Sequence, residues 1–481
     1  MACLVLVASC SNVEDQIEGQ IPDDALVVVK ANAAQLIKHL GIDQRDGKMV
    51  VPQQFEQLMG LSSQDIDELK QNLDKVANSG IDFGHCCYIY VPNGAQNSGG
   101  DMQAVMLVPV SDEAKLKAFL ADMAQIDLKD SGGMQVGTWG ETIIGLTDGI
   151  LYVGTGNGAA NPGAQIKTLA SVSRGMSGNK AMVGALDTGD DINIYLNTAK
   201  LKNTVAREVS RQGGAQTMAV GTAIDMWDAQ STAIHINLAD NEWNMRCDNK
   251  FDNDSEYLKL VKQVTAKPDN AMLAQMPMGA NAATLSVSLN GEGIAQLDMV
   301  KALLANLDDS PEVQAIVDIV KSINGPIMLG IASDTMNPEE ANFVLAAKCN
   351  NAAKVMSNIN QYLPLAGPMT QRGDELVAEQ QVMGGDLAMG AKGNEFYVKL
   401  THSDMAANMS NAGEARTAMA GSVAALYLSS TVGNKQMQLV IESKDLTDAS
   451  AKLWVTEGGK KLSILDALAF FAELGQNVSG R

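Results

Sequence analysis

The alternation of apolar and polar positions predicts short strands interrupted by amphipathic helices, and the same series is met twice. Ala25 to Lys30 reads as a strand. So does Thr284 to Leu289, where Leu285, Val287 and Leu289 alternate with Thr and Ser as in a strand with one buried face. A helix follows each. In the later one Ser310 is placed to cap the N-terminus and Pro311 to take the first helical position. Val313, Ile316, Val317, Val320 and Ile323 then form one apolar stripe. Asn78-Ser79-Gly80 and Asn324-Gly325-Pro326 stop the two helices. Strands His85 to Val91 and Met102 to Pro109 are matched by Ile327 to Ser333 and Asn342 to Ala347, and helices Asp112 to Met123 and Asn351 to Tyr362 come next. A meander follows: Met134 to Trp139, Thr142 to Leu146 and Ile150 to Gly154, with Asp148-Gly149 as a hairpin turn. Its partner runs Val377 to Val382, Asp386 to Ala391 and Glu395 to Leu400, turning at Gly393-Asn394. After a further helix, strands Ile192 to Leu196 and Ala424 to Leu428 correspond. The first series adds a hairpin, Ser231 to Leu238 and Glu242 to Asn249, whereas the second ends with Gln436 to Ser443 and a helix, Leu462 to Leu474.

The correspondence extends to residues. Gly140, Gly145, Tyr152 and Val153 recur as Gly385, Gly390, Tyr397 and Val398, 245 positions later. Ser63, Ile66, Leu69, Leu73 and Val76 recur as Ser310, Val313, Ile316, Val320 and Ile323 at an offset of 247, and Asn78 and Ile81 as Asn324 and Ile327 at 246. Near-constant offsets over a whole series imply two similar folding units in tandem. Strands joined by short turns imply mostly antiparallel sheets. The expected fold class is therefore α+β: two tandem, internally duplicated units with helices packed on one face of each sheet. The expected division is residues 1–20 as signal remnant and acidic tether, 21–268 as the first unit and 269–481 as the second, with a linker near Lys267-Pro268-Asp269-Asn270.

Length agrees with two cores, because 481 residues exceed one ordinary domain. A net charge of −21 repels phosphate backbones and excludes nucleic acid as a partner. The six cysteines lack zinc-site spacing and are too few for a disulfide scaffold. Cys86 and Cys87 are adjacent in a strand and are expected on opposite faces, as buried hydrophobes.

The N-terminus carries chemistry of another kind. Val7-Ala8-Ser9-Cys10 resembles the lipobox of bacterial lipoproteins, in which a cysteine after small residues becomes the acylated N-terminus. Polar and acidic residues follow, Ser11 to Gln16, as in a tether. No Lys or Arg precedes the short apolar stretch, which suggests a start upstream of Met1. Ile21-Pro22-Asp23-Asp24-Ala25-Leu26-Val27-Val28-Val29-Lys30-Ala31-Asn32 resembles the opening of a Bacteroidota cell-envelope lipoprotein family with this length and duplicated layout. That resemblance implies an outer-membrane-anchored protein, periplasmic or on the cell surface. It supplies no catalytic residues.

Candidate motifs weaken when the two copies are compared. Gly154-Thr155-Gly156-Asn157-Gly158-Ala159 has the form of a dinucleotide-binding loop, but it follows an antiparallel hairpin, and its counterpart Lys399 to Ser403 has no glycine. His39, His85, His235 and His402 are scattered, with His85 near Cys87 but without further ligands. Asp187, Asp190 and Asp191 could meet calcium, yet read better as a solvated turn. The sequence thus assigns lipid attachment to Cys10, no catalytic residue, no metal and no cofactor. The expected function is a non-enzymatic envelope lipoprotein that binds a ligand, envelope protein or glycan. The alternatives are a polymer-directed hydrolase with a carboxylate pair unseen in sequence, and a structural scaffold with an exposed apolar patch. Loops differ most between the copies, so a ligand site is expected between the units or along Pro92 to Asp101, Gly154 to Pro162 and the Ser231 to Asn249 hairpin.

Overall fold

The structure, a computed structural model, describes residues 13–45, 48–50, 52, 63–93, 104–155, 164, 166–167, 170–202, 227–269, 271–306, 310–335, 337–362, 367–402, 407–409 and 413–479. The chain divides into two compact units, residues 1–251 with 462–481, and residues 252–461. The strands of the first sheet are β1 Val27–Asn32, β2 Cys86–Val91, β3 Val105–Pro109, β4 Lys129–Asp130, β5 Gln135–Trp139, β6 Thr142–Thr147, β7 Ile150–Thr155, β8 Ile192–Leu196, β9 Ser231–Asn237 and β10 Trp243–Lys250, and Asp43–Arg45 and Lys48–Val50 form a separate two-stranded ribbon. The main strands of the second unit are β11 Asn281–Asn290, β12 Ile323–Ser333, β13 Asn342–Cys349, β14 Met369–Arg372, β15 Glu375–Ala378, β16 Asp386–Lys392, β17 Glu395–Thr401, β18 Ala424–Val432, β19 Lys435–Ser443 and β20 Asp448–Glu457, with short pieces at Pro277–Met278, Ala407–Asn408 and Lys460–Lys461. The helices include α1 Ala33–His39, α2 Ser63–Ala77, α3 Glu113–Ala124, α4 Lys180–Leu186, α5 Glu256–Val264, α6 Gly291–Ala295, α7 Asp298–Ala305, α8 Pro311–Ser322, α9 Ala352–Tyr362, α10 Glu414–Gly421 and α11 Ile464–Ser479.

The fold class is α+β, and the strand pairings described within each unit are antiparallel. The first sheet runs β10-β9-β8-β1-β2-β3-β7-β6-β5-β4. The second runs β20-β19-β18-β11-β12-β13-β17-β16-β15-β14. The order is the same with each label advanced by ten. Register agrees as well, since Gly145 faces Tyr152 in one hairpin and Gly390 faces Tyr397 in the other. The Tyr397 ring lies over Gly390, where a Cβ would collide with it. In both units the first strand ends in an asparagine that caps the following helix. Asn32 accepts from the Gln35 amide and Asn290 from the Gly293 amide, satisfying donors left free in a first turn. Ser310 caps α8 with Pro311 in its first turn, as its sequence predicts. Asp148 and Gly149 both have positive φ, the backbone of a two-residue hairpin turn.

Several expectations about the sheets and units need correction. Helices cover both faces of each sheet. In the first, Leu116 and Leu120 of α3 pack with Val108, Ile144 and Leu151. Met182 and Leu186 of α4 pack on the opposite face with Leu107, Ile143 and Tyr152. A sheet whose central strands are apolar on both sides needs two covers. The hairpin assigned to the first copy alone has a counterpart in β19 and β20, because Asp448–Glu457 is a strand. On β11 the buried side is the hydroxyl side: Thr284, Ser286 and Ser288 are buried, while Leu285 is exposed. The unit division also falls elsewhere. α5 belongs to the second unit, where Asn290 Nδ2 donates to the Gln263 carbonyl at 3.0 Å. α11 belongs to the first, where Phe471 meets Trp243 with ring centroids 5.9 Å apart.

The acidic stretch expected to be a tether is built into the first unit. Residues 13–19 are helical, and Ile17 and Ile21 are fully buried. Tyr88 Oη donates to Glu18 Oε1 at 2.8 Å, Lys30 Nζ donates to the same oxygen at 3.4 Å, and the Cys86 amide donates to Glu14 Oε1 at 3.3 Å.

Candidate functional site

The second sheet presents an apolar row that runs from under its helices to an exposed end at Ile331. α8 and α9 place Ile319, Val355, Met356 and Ile359 over Leu345, Phe396, Val398 and Met389. One step further along the same face, Ile331 pairs with Phe343, Phe343 with Leu400, and Leu400 with Leu387. Side chains alternate along a strand, so these four cross-strand partners stand on one side of four adjacent strands. Ile331 is 40% exposed, although it sits on an interior strand of the sheet.

Two walls turn this row into a cavity of about 770 Å³, lined also by Glu339, Ala341, Val382, Met383, Val398 and His402. The first wall is the connection after β12. Thr335 Oγ1 donates to Glu340 Oε2 at 3.0 Å, Asn337 Nδ2 donates to Glu340 Oε1 at 3.1 Å, and the Glu339 amide donates to Asn337 Oδ1 at 3.1 Å. The second wall is the tight turn before β16. Val382 and Gly385 exchange two backbone hydrogen bonds of 2.9 Å, with Met383 at φ 51° and Gly384 at φ 82°. Positive φ at both central residues is the hairpin-turn geometry that glycine adopts freely and methionine does not. Met383 is held there with 82% of its surface exposed. A large apolar residue in a costly backbone conformation, at the lip of a cavity, is an outlier that points toward function. The His402 amide donates to Asn342 Oδ1 at 2.7 Å, and the ring lies against Gly385, where no side chain intervenes. The described lining residues carry one carboxylate, Glu339, and no Lys or Arg.

Two of the four positions in this row are polar in the first unit. Thr142 pairs with Thr155 where Leu387 pairs with Leu400, each position shifted by the same 245 residues. The sequence contains these four residues, but only cross-strand register shows that they meet. This cavity lies in the second unit. Of the first-copy loops expected to carry a site, residues 94–103 and 156–163 lie outside the described residues, as does Cys10.

The other candidates are structural. Cys86 and Cys87 stand on opposite faces, and burial with the nearby Glu14 carboxylate pushes the Cys86 thiol up to about 12. Gly154 and Thr155 close an antiparallel strand between β3 and β6. Asp191 is not in a solvated turn: it is fully buried, and its Oδ2 accepts from His39 Nδ1 at 2.9 Å and from the Leu238 amide at 2.7 Å. His85 Nδ1 lies 3.0 Å from Asp82 Oδ2. Among the described residues no cluster of His, Cys, Asp and Glu is arranged to hold a metal ion, and no helix is long and apolar enough to cross a membrane.

No protein-family model matches the chain, and no curated protein matches it. Among solved structures, three crystal forms of TP0453 are similar over about half of this chain. Form IV is 8% identical with a TM-score of 0.28, covering 48% of this chain and 79% of its own. Form III is 7% identical with a TM-score of 0.30, covering 51% and 84%. Form I is 8% identical with a TM-score of 0.28, covering 49% and 78%. Likeness at this level transfers neither fold nor function.

Proposed function

We propose that the chain is a non-enzymatic lipoprotein of the bacterial cell envelope, of the Bacteroidota kind, anchored through an acylated Cys10. In this reading it arose by duplication, and its second unit binds a small ligand. Val7-Ala8-Ser9-Cys10 supports the anchor. The same strand order in both units supports the duplication. The observation that carries ligand binding is the cavity over Ile331, Phe343, Leu400 and Leu387, because a concave, mostly apolar pocket with a few polar groups at its edge is the usual form of a small-molecule site. A hydrolase would need convergent acids, and Glu339 is the single carboxylate among the described lining residues.

The anchor is tested by fractionating cells that express the full reading frame or its Cys10→Ser variant. The wild type is expected in the membrane fraction and the variant in the soluble fraction, since the acyl chains supply the membrane affinity. A variant that stays with the membrane would overturn the anchor.

A further inference from the structure

Resting on the reading of the second unit as a ligand-binding module, we infer that its cavity takes a molecule with one extended hydrocarbon chain and an uncharged polar head, and that it discriminates against the same chain bearing an anionic head.

Three observations lead there. The first is shape. Four adjacent strands about 4.8 Å apart make the floor from Ile331 to Leu387 a trough of about 14 Å, long enough for a chain of about a dozen carbons. The volume of about 770 Å³ suits a small molecule. A second protein would need a broad surface, whereas here the apolar area sinks between two walls. The second is composition. The floor is aliphatic apart from Phe343, and adaptable Met383 stands at the lip, so the lining suits a flexible hydrocarbon chain. The third is charge. Glu339 lines the mouth without a cation among its described neighbours in the lining, and the chain as a whole carries −21. An anionic head brought there gives up water and meets repulsion with nothing to pair with it. A hydroxyl head meets neither cost and finds His402 and the Glu339 carboxylate at hand.

The two threonines of the first unit provide the control within the same molecule. Thr142 and Thr155 occupy the paired positions that Leu387 and Leu400 hold in the second unit, so the trough is a difference between the units and not a necessity of the fold.

The test uses the full chain carrying Cys10→Ser, so that no attached acyl chain competes, and the neutral fluorescent probe N-phenyl-1-naphthylamine. The probe is expected to bind saturably. 1-Dodecanol should displace it, and dodecanoate at mildly alkaline pH should do so at least about tenfold more weakly. Leu400→Thr should weaken probe and dodecanol about tenfold. Met383→Gly, at an exposed position that cannot unfold the sheet, should weaken both severalfold. Glu339→Gln should narrow the gap between alcohol and carboxylate. Dodecanoate binding as tightly as dodecanol, with Leu400→Thr still weakening both, overturns the head-group inference and leaves the ligand-binding reading standing. Saturable binding that neither Leu400→Thr nor Met383→Gly alters, or no saturable binding, overturns both. A dimer dispersed by Leu400→Thr would put a second copy of the chain in the trough and overturn the inference in the same way.

Discussion

At the scale of single residues, the groups with chemistry in them are mostly spent on holding the fold, and His235 shows how. Its ring is only 4% exposed, and Nδ1 lies 2.7 Å from Asn193 Oδ1, which it donates to. Burial first, and Arg246 second, lower its pKa below the ordinary histidine value of 6.5, although Asp190 and Asp248 pull the other way. The sign follows from proton counting. The unfolded chain takes up this proton at a higher pH than the folded chain, so stability is intact above about 6.5 and is lost as pH falls from there toward the folded pKa. The carboxylates act in a lower window. Glu375, held down chiefly by its hydrogen bond from Lys399, loses its contribution only when pH drops through its depressed value, below the usual 4.5. Urea midpoints at about pH 7.5 and about pH 5.5 should therefore fall with acidity in the wild type, and fall less in His235→Asn. An equal fall in both would remove His235 from the account.

At the scale of elements, most of the architecture was readable. The β6–β7 and β16–β17 hairpins, the turns at Asp148-Gly149 and Gly393-Asn394, and the capped start of α8 all carry their own local signals, and those signals do not depend on distant packing. The face of β11 was not readable. Thr-Leu-Ser-Val-Ser-Leu looks like a strand with its leucines inward, yet Thr284, Ser286 and Ser288 face a core of Met328, Tyr427 and Met419. A strand with partners on both sides has both faces in play, and which one is deeper is decided by what covers it; periodicity reports only that the faces differ. The candidate site was hidden for a related reason, since Ile331, Phe343, Leu387 and Leu400 meet only through register. The hydroxyls of Thr284, Ser286 and Ser288 are buried without a hydrogen-bond partner. A buried polar group in that state costs free energy that an isosteric apolar group does not. Thr284→Val is therefore expected to stabilise the second unit by about 1 kcal/mol, against the usual direction of core substitutions. Thermal denaturation would show it, and a lowered midpoint would mean that the hydroxyl has a partner after all.

At the scale of the molecule, the question is how the proposed anchor holds the first unit. A tether of twenty residues would let that unit wander by tens of ångströms, about 70 Å if fully extended. The helical segment 13–19 removes most of this freedom, because Ile17 and Ile21 are buried and Glu18 is held by Tyr88 and Lys30. Only Ser11 and Asn12 then lie between Cys10 and Val13, a reach of at most about 11 Å. With Cys10 acylated, the docked segment must sit against the lipid headgroups. A fluorophore at Asp15→Cys, an exposed position on that segment, should be quenched strongly by a headgroup-attached quencher when the acylated protein is bound to neutral vesicles. The wild type, labelled in parallel, corrects for Cys87 and Cys247, which are half-buried. Fifteen Gly and Ser residues inserted between Ser11 and Asn12 add a mean span of about 20 Å and should relieve most of the quenching. Disrupting the dock with Ile17→Asp should relieve it in part, because the freed segment lengthens the leash by its own residues. Weak quenching that the insertion leaves unchanged would show that the first unit stands away from the membrane, and the short leash would have to be abandoned.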